Sequence, residues 1–283
     1  MPRLLIAILC LLGLSGCPED LDEAPAYLLV EGFDLSVGPG EGAATTDIRE
    51  VWVFIDEVFE GAFPLPARIP VFANGPVSVR LEAGIRQDGR SVTPDIYPFY
   101  RPAELALDIS PGQVTDVGRL TISYRDKTEF GFVEDFEPGS ARVFTDVLTP
   151  GNQLEAQETE VRSGRAAGAV VLSDSSRRFE VATGVTFRGL NTVPINVWLE
   201  VDYKSDAPTV FGVIGRQNVT GARVFDPGFL PRDTWTKIYF NLGPVVGSAD
   251  LDELRVALSS KLDDELTTGT VYLDNLKLLY FVP

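Results

Sequence analysis

From Tyr27 onward, apolar and polar residues alternate with a period of two in short runs, and Gly, Pro and Asp interrupt these runs. This period is typical of β-strands that bury one face. Val77–Ala83 shows it most clearly, with Val77, Val79 and Leu81 on the side that we expect to face a core. The pattern therefore predicts an all-β protein.

Local signals add a hairpin and one short helix. Val51–Ile55 and Val58–Phe63 are predicted to pair as a hairpin, because two turn residues separate two β-prone runs. The only stretch that favours a helix is Ala249–Leu254, with Ser248 or Asp250 as its N-cap. We expect a single helical turn within a loop.

A polar break at Arg125–Thr128 divides the chain. Before it, residues 27–125 predict a small antiparallel β-sandwich, and after it, residues 129–283 again read as strands throughout. The length fits two domains, and an apolar content of 45% is sufficient for packed cores.

The N-terminus has the features of a lipoprotein signal peptide over residues 1–16. An apolar run from Leu4 to Leu14, too short to span a bilayer, leads into Leu14–Cys17, which reads as a lipobox. We expect a covalent lipid on Cys17, whose two or three acyl chains would hold the protein on the outer membrane. The alternative is an ordinary signal peptide with a chance cysteine.

Residues 17–26 form an acidic tether with nothing to bury. The run Glu19–Glu23 resembles the surface-export signal of certain Gram-negative lipoproteins, and that resemblance implies surface exposure. The alternative is that the run is only a solvated linker.

Charge and composition exclude several classes of function. Without residues 1–16 the chain has 23 Lys and Arg against 41 Asp and Glu, a net charge of −18. Such a chain would repel phosphate backbones, so we expect no nucleic-acid partner and membrane contact only through the lipid. Histidine is absent, Cys10 leaves with the signal peptide and Cys17 is acylated. A Ser-His-Asp triad and a zinc site are therefore excluded, and we expect no enzyme, although a carboxylate pair could still act as a glycosidase.

Four blocks of the C-terminal half resemble the jelly-roll domains of carbohydrate-binding modules, which are galactose-binding-like. They are Phe132–Glu137, Ser163–Val170, Asp233–Phe240 and Val271–Leu278. The resemblance implies a β-jelly roll over residues 129–283. Residues 53–84 loosely resemble PEGA-like surface modules, which implies a spacer or adhesive role for the first domain.

The resemblance also implies a structural calcium ion. The first and last strands of a jelly roll lie side by side, which would bring Asp135 and Glu137 close to Asp274. Glu137 and Asp274 match the family's acidic positions, Asp135 is the candidate third ligand, and carbonyls of Gly164–Ala167 would complete an oxygen shell. The alternative is that Asp274 only turns or solvates the final strand.

Glycan recognition on this fold needs an exposed aromatic platform with polar partners for hydroxyl groups. Alternation places Trp198 on a polar strand face with Glu200, and Arg216 and Gln217 would add partners from a neighbouring strand end. Trp235 is expected to pack in the core, as is Tyr239.

The sequence thus favours a lipid-anchored envelope protein that recognises a glycan or an envelope partner. The alternative is a structural or assembly subunit of a surface complex without a small-molecule ligand. The exposure of Trp198 discriminates between them, since a ring in an open groove favours ligand binding and a buried ring favours a scaffold.

Overall fold

The computed structural model describes residues 24–90, 92–193, 196–217 and 220–281. The predicted signal peptide, Cys17 and most of the tether lie outside these ranges. Regular structure within them is almost entirely β-strand, so the all-β prediction is confirmed. No helix in the described residues has both the length and the apolar character needed to cross a membrane.

The N-terminal part of the described chain contains ten strands. They are β1 (Ala26–Val30), β2 (Gly32–Ser36), β3 (Glu50–Ile55), β4 (Val58–Pro64), β5 (Ala67–Val71), β6 (Gly75–Arg86), β7 (Pro94–Ile96), β8 (Ala103–Ile109), β9 (Val114–Asp116) and β10 (Arg119–Ser123).

These strands form a small sandwich. β4, β3 and β6 are neighbours in the largest sheet, where β7 and β8 both pair with β6, and β5-β1-β9 and β2-β10 form the rest. The predicted β3–β4 hairpin is confirmed, and Asp56 and Glu57 turn it with φ angles of 47° and 65°. Val77, Val79 and Leu81 are buried as expected. The sandwich is not wholly antiparallel, because β1–β9 and β2–β10 pair in parallel.

The C-terminal part contains twelve described strands. They are β11 (Thr128–Glu134), β12 (Phe144–Val147), β13 (Glu155–Gln157), β14 (Ala167–Ser173), β15 (Arg178–Thr183), β16 (Phe187–Arg188), β17 (Trp198–Ser205), β18 (Thr209–Gln217), β19 (Thr220–Phe229), β20 (Arg232–Asn241), β21 (Glu253–Lys261) and β22 (Thr268–Phe281).

Two sheets pack face to face in this part. Sheet I has the order β13-β14-β22-β17-β20, with β11 also paired to β22, and sheet II has the order β12-β15-β21-β18-β19, with β16 also paired to β21. Leu199 and Val201 of sheet I join Phe211 and Val213 of sheet II in one apolar core. Each such side chain contributes roughly 1.5–3 kcal/mol by leaving water. The first and last strands, β11 and β22, lie side by side as predicted.

The helix lies earlier than the sequence suggested. It spans Gly243–Ala249, with Pro244 in its first turn, and Asp250 ends it in the left-handed conformation at φ 44°. The prediction of Ala249–Leu254 with an N-cap at Asp250 is therefore wrong. Proline at a helix start provides a φ angle that is already helical, and this signal outweighs the capping pattern.

The two parts share one apolar core at their junction. Trp198, Tyr239 and Leu279 of sheet I pack in the same cluster as the buried residues of the N-terminal strands. The turn after β6 also docks on the edge of sheet I, where the Asp88 N–H donates to the Tyr239 carbonyl at 2.9 Å. We call the face of sheet I that points away from sheet II its outer face; the N-terminal part covers half of it.

Candidate functional site

Strand β17 divides its side chains between the two faces of sheet I. Leu199 and Val201 point into the core between the sheets, whereas Trp198, Glu200 and Asp202 lie on the outer face. All three outer side chains are buried. They are buried because tyrosines and the 37–49 segment of the N-terminal part lie over them.

Strand pairing places opposite charges side by side on the covered half. Glu200 lies opposite Lys277 of β22, and Asp202 lies opposite Lys237 of β20. The Glu200 Oε2 atom is 2.9 Å from Nζ of Lys237 and 3.9 Å from Nζ of Lys277. We call these four fully buried side chains the ion cluster. Removing an ion from water costs several kcal/mol, so each side chain of the ion cluster needs partners in a fixed geometry.

The N-terminal part supplies those partners. The Tyr97 and Tyr124 hydroxyls donate to Oε1 of Glu200 at 2.9 and 3.0 Å, and Lys277 donates to the Tyr124 hydroxyl at 3.1 Å. Burial alone would raise the pKa of Glu200, but the charges of Lys237 and Lys277 lower it overall. Burial lowers the pKa of Lys277 to about 8 against the attraction of Glu200.

Trp198 is not the exposed platform that the sequence predicted. Its side chain is 3% exposed, and its ring meets that of Tyr97 edge-on at 5.5 Å. Glu200 belongs to the ion cluster, Arg216 is exposed on sheet II, and the Gln217 side chain lies outside the described structure. The prediction of a solvent-facing Trp198 is wrong, because the polar face it shares is the one that the N-terminal part covers.

Two of the three predicted calcium ligands reach the same loop. Oε1 of Glu137 accepts the N–H groups of Arg165 and Ala166 at 2.6 and 3.2 Å, and Oδ2 of Asp274 accepts that of Ser163 at 3.1 Å. Asp135 instead accepts the N–H of Glu137 at 3.1 Å. Glu137 and Asp274 therefore hold the backbone of this loop, whereas Asp135 binds only the backbone two residues further along its own segment.

These contacts do not fit a calcium shell. The loop presents N–H groups to the carboxylates, whereas calcium binds six to eight oxygen atoms. Among the described residues, no three Asp, Glu, His or Cys side chains lie close enough to share a metal ion. Calcium binding at Asp135, Glu137 and Asp274 stays a prediction from the sequence.

Asp274 has an unusual electrostatic environment. It is 1% exposed and lies opposite Asp202 in the pairing of β22 with β17. Burial, with a further contribution from the charge of Asp202, raises the pKa of Asp274 to about 7, against the opposing effect of the Ser163 and Asn275 N–H groups. The folded chain therefore binds a proton at Asp274 more tightly than the unfolded chain does.

The other half of the outer face is open. Trp235 and Tyr272 are half-buried there, with ring centroids 6.4 Å apart, and Lys204 lies opposite Tyr272. Glu160 links the group: it accepts the indole N–H of Trp235 at 3.1 Å and pairs with Nζ of Lys204 at 2.8 Å. These four residues, which we call the aromatic platform, combine flat apolar rings with charged hydrogen-bonding groups.

A cleft of about 1050 Å³ adjoins the platform. Tyr272 and Thr270 of β22 and Val171 of β14 form its floor, and the 147–159 segment forms its wall. The floor residues point outward because their neighbours on each strand, including Val271 and Leu172, fill the core. The platform and the cleft adjoin at Tyr272, which belongs to both.

Sequence reasoning missed this surface. Trp235 was expected in the core, and that expectation is wrong because Ile238 and Phe240 take the inward positions of β20. The same alternation was a usable signal, since it places Trp235 and Lys237 on one face. The expected burial of Tyr239 is confirmed.

Solved structures similar to this chain include carbohydrate-binding modules. The C-terminal family 22 module of Clostridium thermocellum Xyn10B is 12% identical over 54% of this chain and 93% of that chain, with a TM-score of 0.40. A family 30 module is 15% identical over 54% and 98%, with a TM-score of 0.40. A structure of modules from the β-sandwich superfamily is 13% identical over 92% and 99%, with a TM-score of 0.37. These scores and identities assign no function to this chain.

No protein-family model matches the chain, and the search of curated proteins found no match.

Removing the carboxylate at the centre of the ion cluster should destabilise the protein. Glu200→Gln leaves two buried lysines without their shared counter-charge, and we expect a loss of about 3–5 kcal/mol in the free energy of unfolding. Urea titration measures this. The control is Arg188→Gln, which breaks an exposed ion pair with Glu253 and should cost under about 1 kcal/mol. Equal losses would show that the cluster is not structural.

The raised pKa of Asp274 predicts a pH dependence. Its pKa is about 7 in the folded chain, raised from the ordinary aspartate value of 3.8. The stabilisation that protonated Asp274 provides is therefore complete below pH 3.8 and is lost as the pH rises towards about 7. Between pH 5 and 7, wild type should lose up to roughly 1.4 kcal/mol per pH unit relative to Asp274→Asn. Urea titrations of both proteins across this range test it, and parallel curves would contradict it.

Proposed function

We propose that this chain is a non-catalytic, lipid-anchored envelope protein that binds a glycan through the aromatic platform and the adjoining cleft. The observation that carries this proposal is the half-exposed pair Trp235 and Tyr272, which Glu160 and Lys204 flank on an open sheet face. Sugar rings present C–H groups that stack on aromatic faces, and their hydroxyls need polar partners in the same plane.

The platform is held ready for such a ligand. Glu160 fixes the indole of Trp235 through its N–H and so reduces the number of rotamers that binding would have to select. An ammonium group has three donors, and Lys204 has Glu160 as its ion-pair partner, so further donors remain for sugar hydroxyls. The cleft beside Tyr272 has a volume of about 1050 Å³, which is large for a single sugar ring.

A structural role in a surface complex is the second candidate. The burial of Trp198 favours it, because part of the outer face already serves as a protein interface. The exposed apolar side chains Val58, Phe59 and Phe72 of the N-terminal part, at 61%, 50% and 74% exposure, favour a further protein contact. The two functions differ in whether the aromatic platform binds sugar.

Loss of the platform rings should abolish glycan binding. Trp235→Ala and Tyr272→Ala each remove a stacking surface, and we expect at least a tenfold loss of affinity, about 1.4 kcal/mol or more. A panel of neutral and acidic polysaccharides in affinity electrophoresis identifies the ligand and measures the loss.

The matched control is Phe59→Ala, which removes an exposed ring on β4, a strand that belongs to the N-terminal sheet and pairs with β3. It should leave binding unchanged. If no polysaccharide of the panel binds wild type, the structural role is favoured and the glycan proposal fails.

Membrane attachment is proposed from the lipobox at Leu14–Cys17 and display on the cell surface from the acidic tether. Because two or three acyl chains bind a membrane far more tightly than one, Cys17 is expected to hold the protein on the outer membrane.

The Cys17→Ser variant should not incorporate lipid. Metabolic labelling with a palmitate analogue should mark wild type and not the variant, and absence of label from wild type would contradict the anchor. Protease added to intact cells should cleave the wild-type protein if it is displayed outward, and full protection would place it on the periplasmic side.

A further inference from the structure

A second cleft, of about 830 Å³, lies where the N-terminal part meets the edge of sheet I. Strand β20 forms one wall, and the other is formed by the turn after β6, which is held to β20 through the Asp88 N–H. Five guanidinium groups line this arginine cleft: Arg49, Arg86, Arg90, Arg162 and Arg232.

The concentration of positive charge is unusual for this chain, whose net charge is −17. Three of the arginines have acidic partners: Arg49 pairs with Asp47 at 2.6 Å, Arg86 with Glu50 at 2.5 Å, and Arg162 with Asp202 at 3.5 Å.

The remaining two, Arg90 and Arg232, are exposed and form no ion pair with any described residue. Arg232 donates a hydrogen bond to the Tyr203 hydroxyl. Burial raises the pKa of Asp88, and the charge of Arg90 opposes that rise. The cleft is therefore lined by five arginines and two acids, Asp47 and Asp88, and two of the arginines have no ion-pair partner among the described residues. Like charges gathered in a concave wall raise the local potential and attract an anion.

Trp235 connects this cleft to the proposed glycan site. It lines the arginine cleft, and its ring also contacts Tyr272, which lies on the floor of the first cleft. A sugar ring stacked on Trp235 would therefore lie at the border of the arginine cleft.

We infer that the arginine cleft binds the anionic substituents of an acidic glycan, carboxylate or sulfate, while Trp235 stacks against its sugar ring. This inference rests on the proposed function and names the class of its ligand. A guanidinium group matches a carboxylate or sulfate with two parallel N–H donors, which a neutral sugar does not need. The net negative charge of the protein opposes the ligand only weakly, because salt screens charges beyond about 8 Å at physiological ionic strength.

The test compares polymers that differ only in charge. Polygalacturonate is paired with its neutral methyl ester, and dextran sulfate with dextran, and both pairs are titrated into the purified full chain. We expect at least one acidic polymer to bind tenfold or more tightly than its neutral counterpart. Preference within the first pair identifies carboxylate as the anion, and preference within the second identifies sulfate.

Two double variants assign the preference to the cleft. Arg90→Gln with Arg232→Gln should remove it and leave binding of neutral polymers unchanged. The control is Arg188→Gln with Arg216→Gln, which changes the net charge by the same amount but on sheet II. This control should keep the preference for acidic polymers. Both variant proteins should unfold at the wild-type urea concentration, since all four side chains are exposed.

The outcomes separate the inference from the proposed function. If acidic and neutral polymers bind equally, or if the cleft variant keeps the preference, the inference is wrong. The proposed function then survives provided that Trp235→Ala still weakens neutral binding. If no polymer binds at all, both are wrong.

Discussion

The architecture depends on the burial of the Glu200 carboxylate with Lys237 and Lys277 on the outer face of sheet I. Ions removed from water cost several kcal/mol each, and they are tolerated only where opposite charges and hydroxyl groups meet them in fixed geometry. Tyr97 and Tyr124 provide those hydroxyl groups from the N-terminal part. Separation of the two parts would leave this charged surface and the apolar ring of Trp198 without their cover.

That requirement divides the outer face into two regions with different uses. The covered half forms the interface between the two parts, whereas the open half leaves Trp235 and Tyr272 accessible. The arginine cleft arises at the boundary because both parts contribute to its walls. The junction is therefore structural and also leaves open the part of the face on which the ligand is proposed to bind, and the proposed stacking and anion sites meet at Trp235.

The charge distribution supports recognition by local contacts. The chain as a whole is acidic, yet five arginines line one cleft, and two of them, Arg90 and Arg232, form no ion pair with any described residue. The net charge by itself would favour a basic partner. Salt screens the acidic surface at a distance, however, so an anionic group inside the cleft would interact mainly with the nearby arginines. The inferred ligand, a glycan with spaced anionic groups, would meet both the rings and the arginines at this place.

The sequence by itself determined the local order of the protein. Period-two alternation identified the strands, the Asp56–Glu57 turn and the faces to which Val77, Leu199 and Val201 belong, because side-chain direction in a strand follows from neighbouring residues alone. The sequence also shows that the chain has no histidine that could act in catalysis or bind a metal ion. Only the tertiary structure decided which polar face would be covered. Trp198 and Trp235 both alternate onto the outer face of sheet I, and one is buried while the other is half-exposed. What covers a strand face is set by residues distant in the sequence, such as Tyr97 and Tyr124, which lie 103 and 76 positions from Glu200.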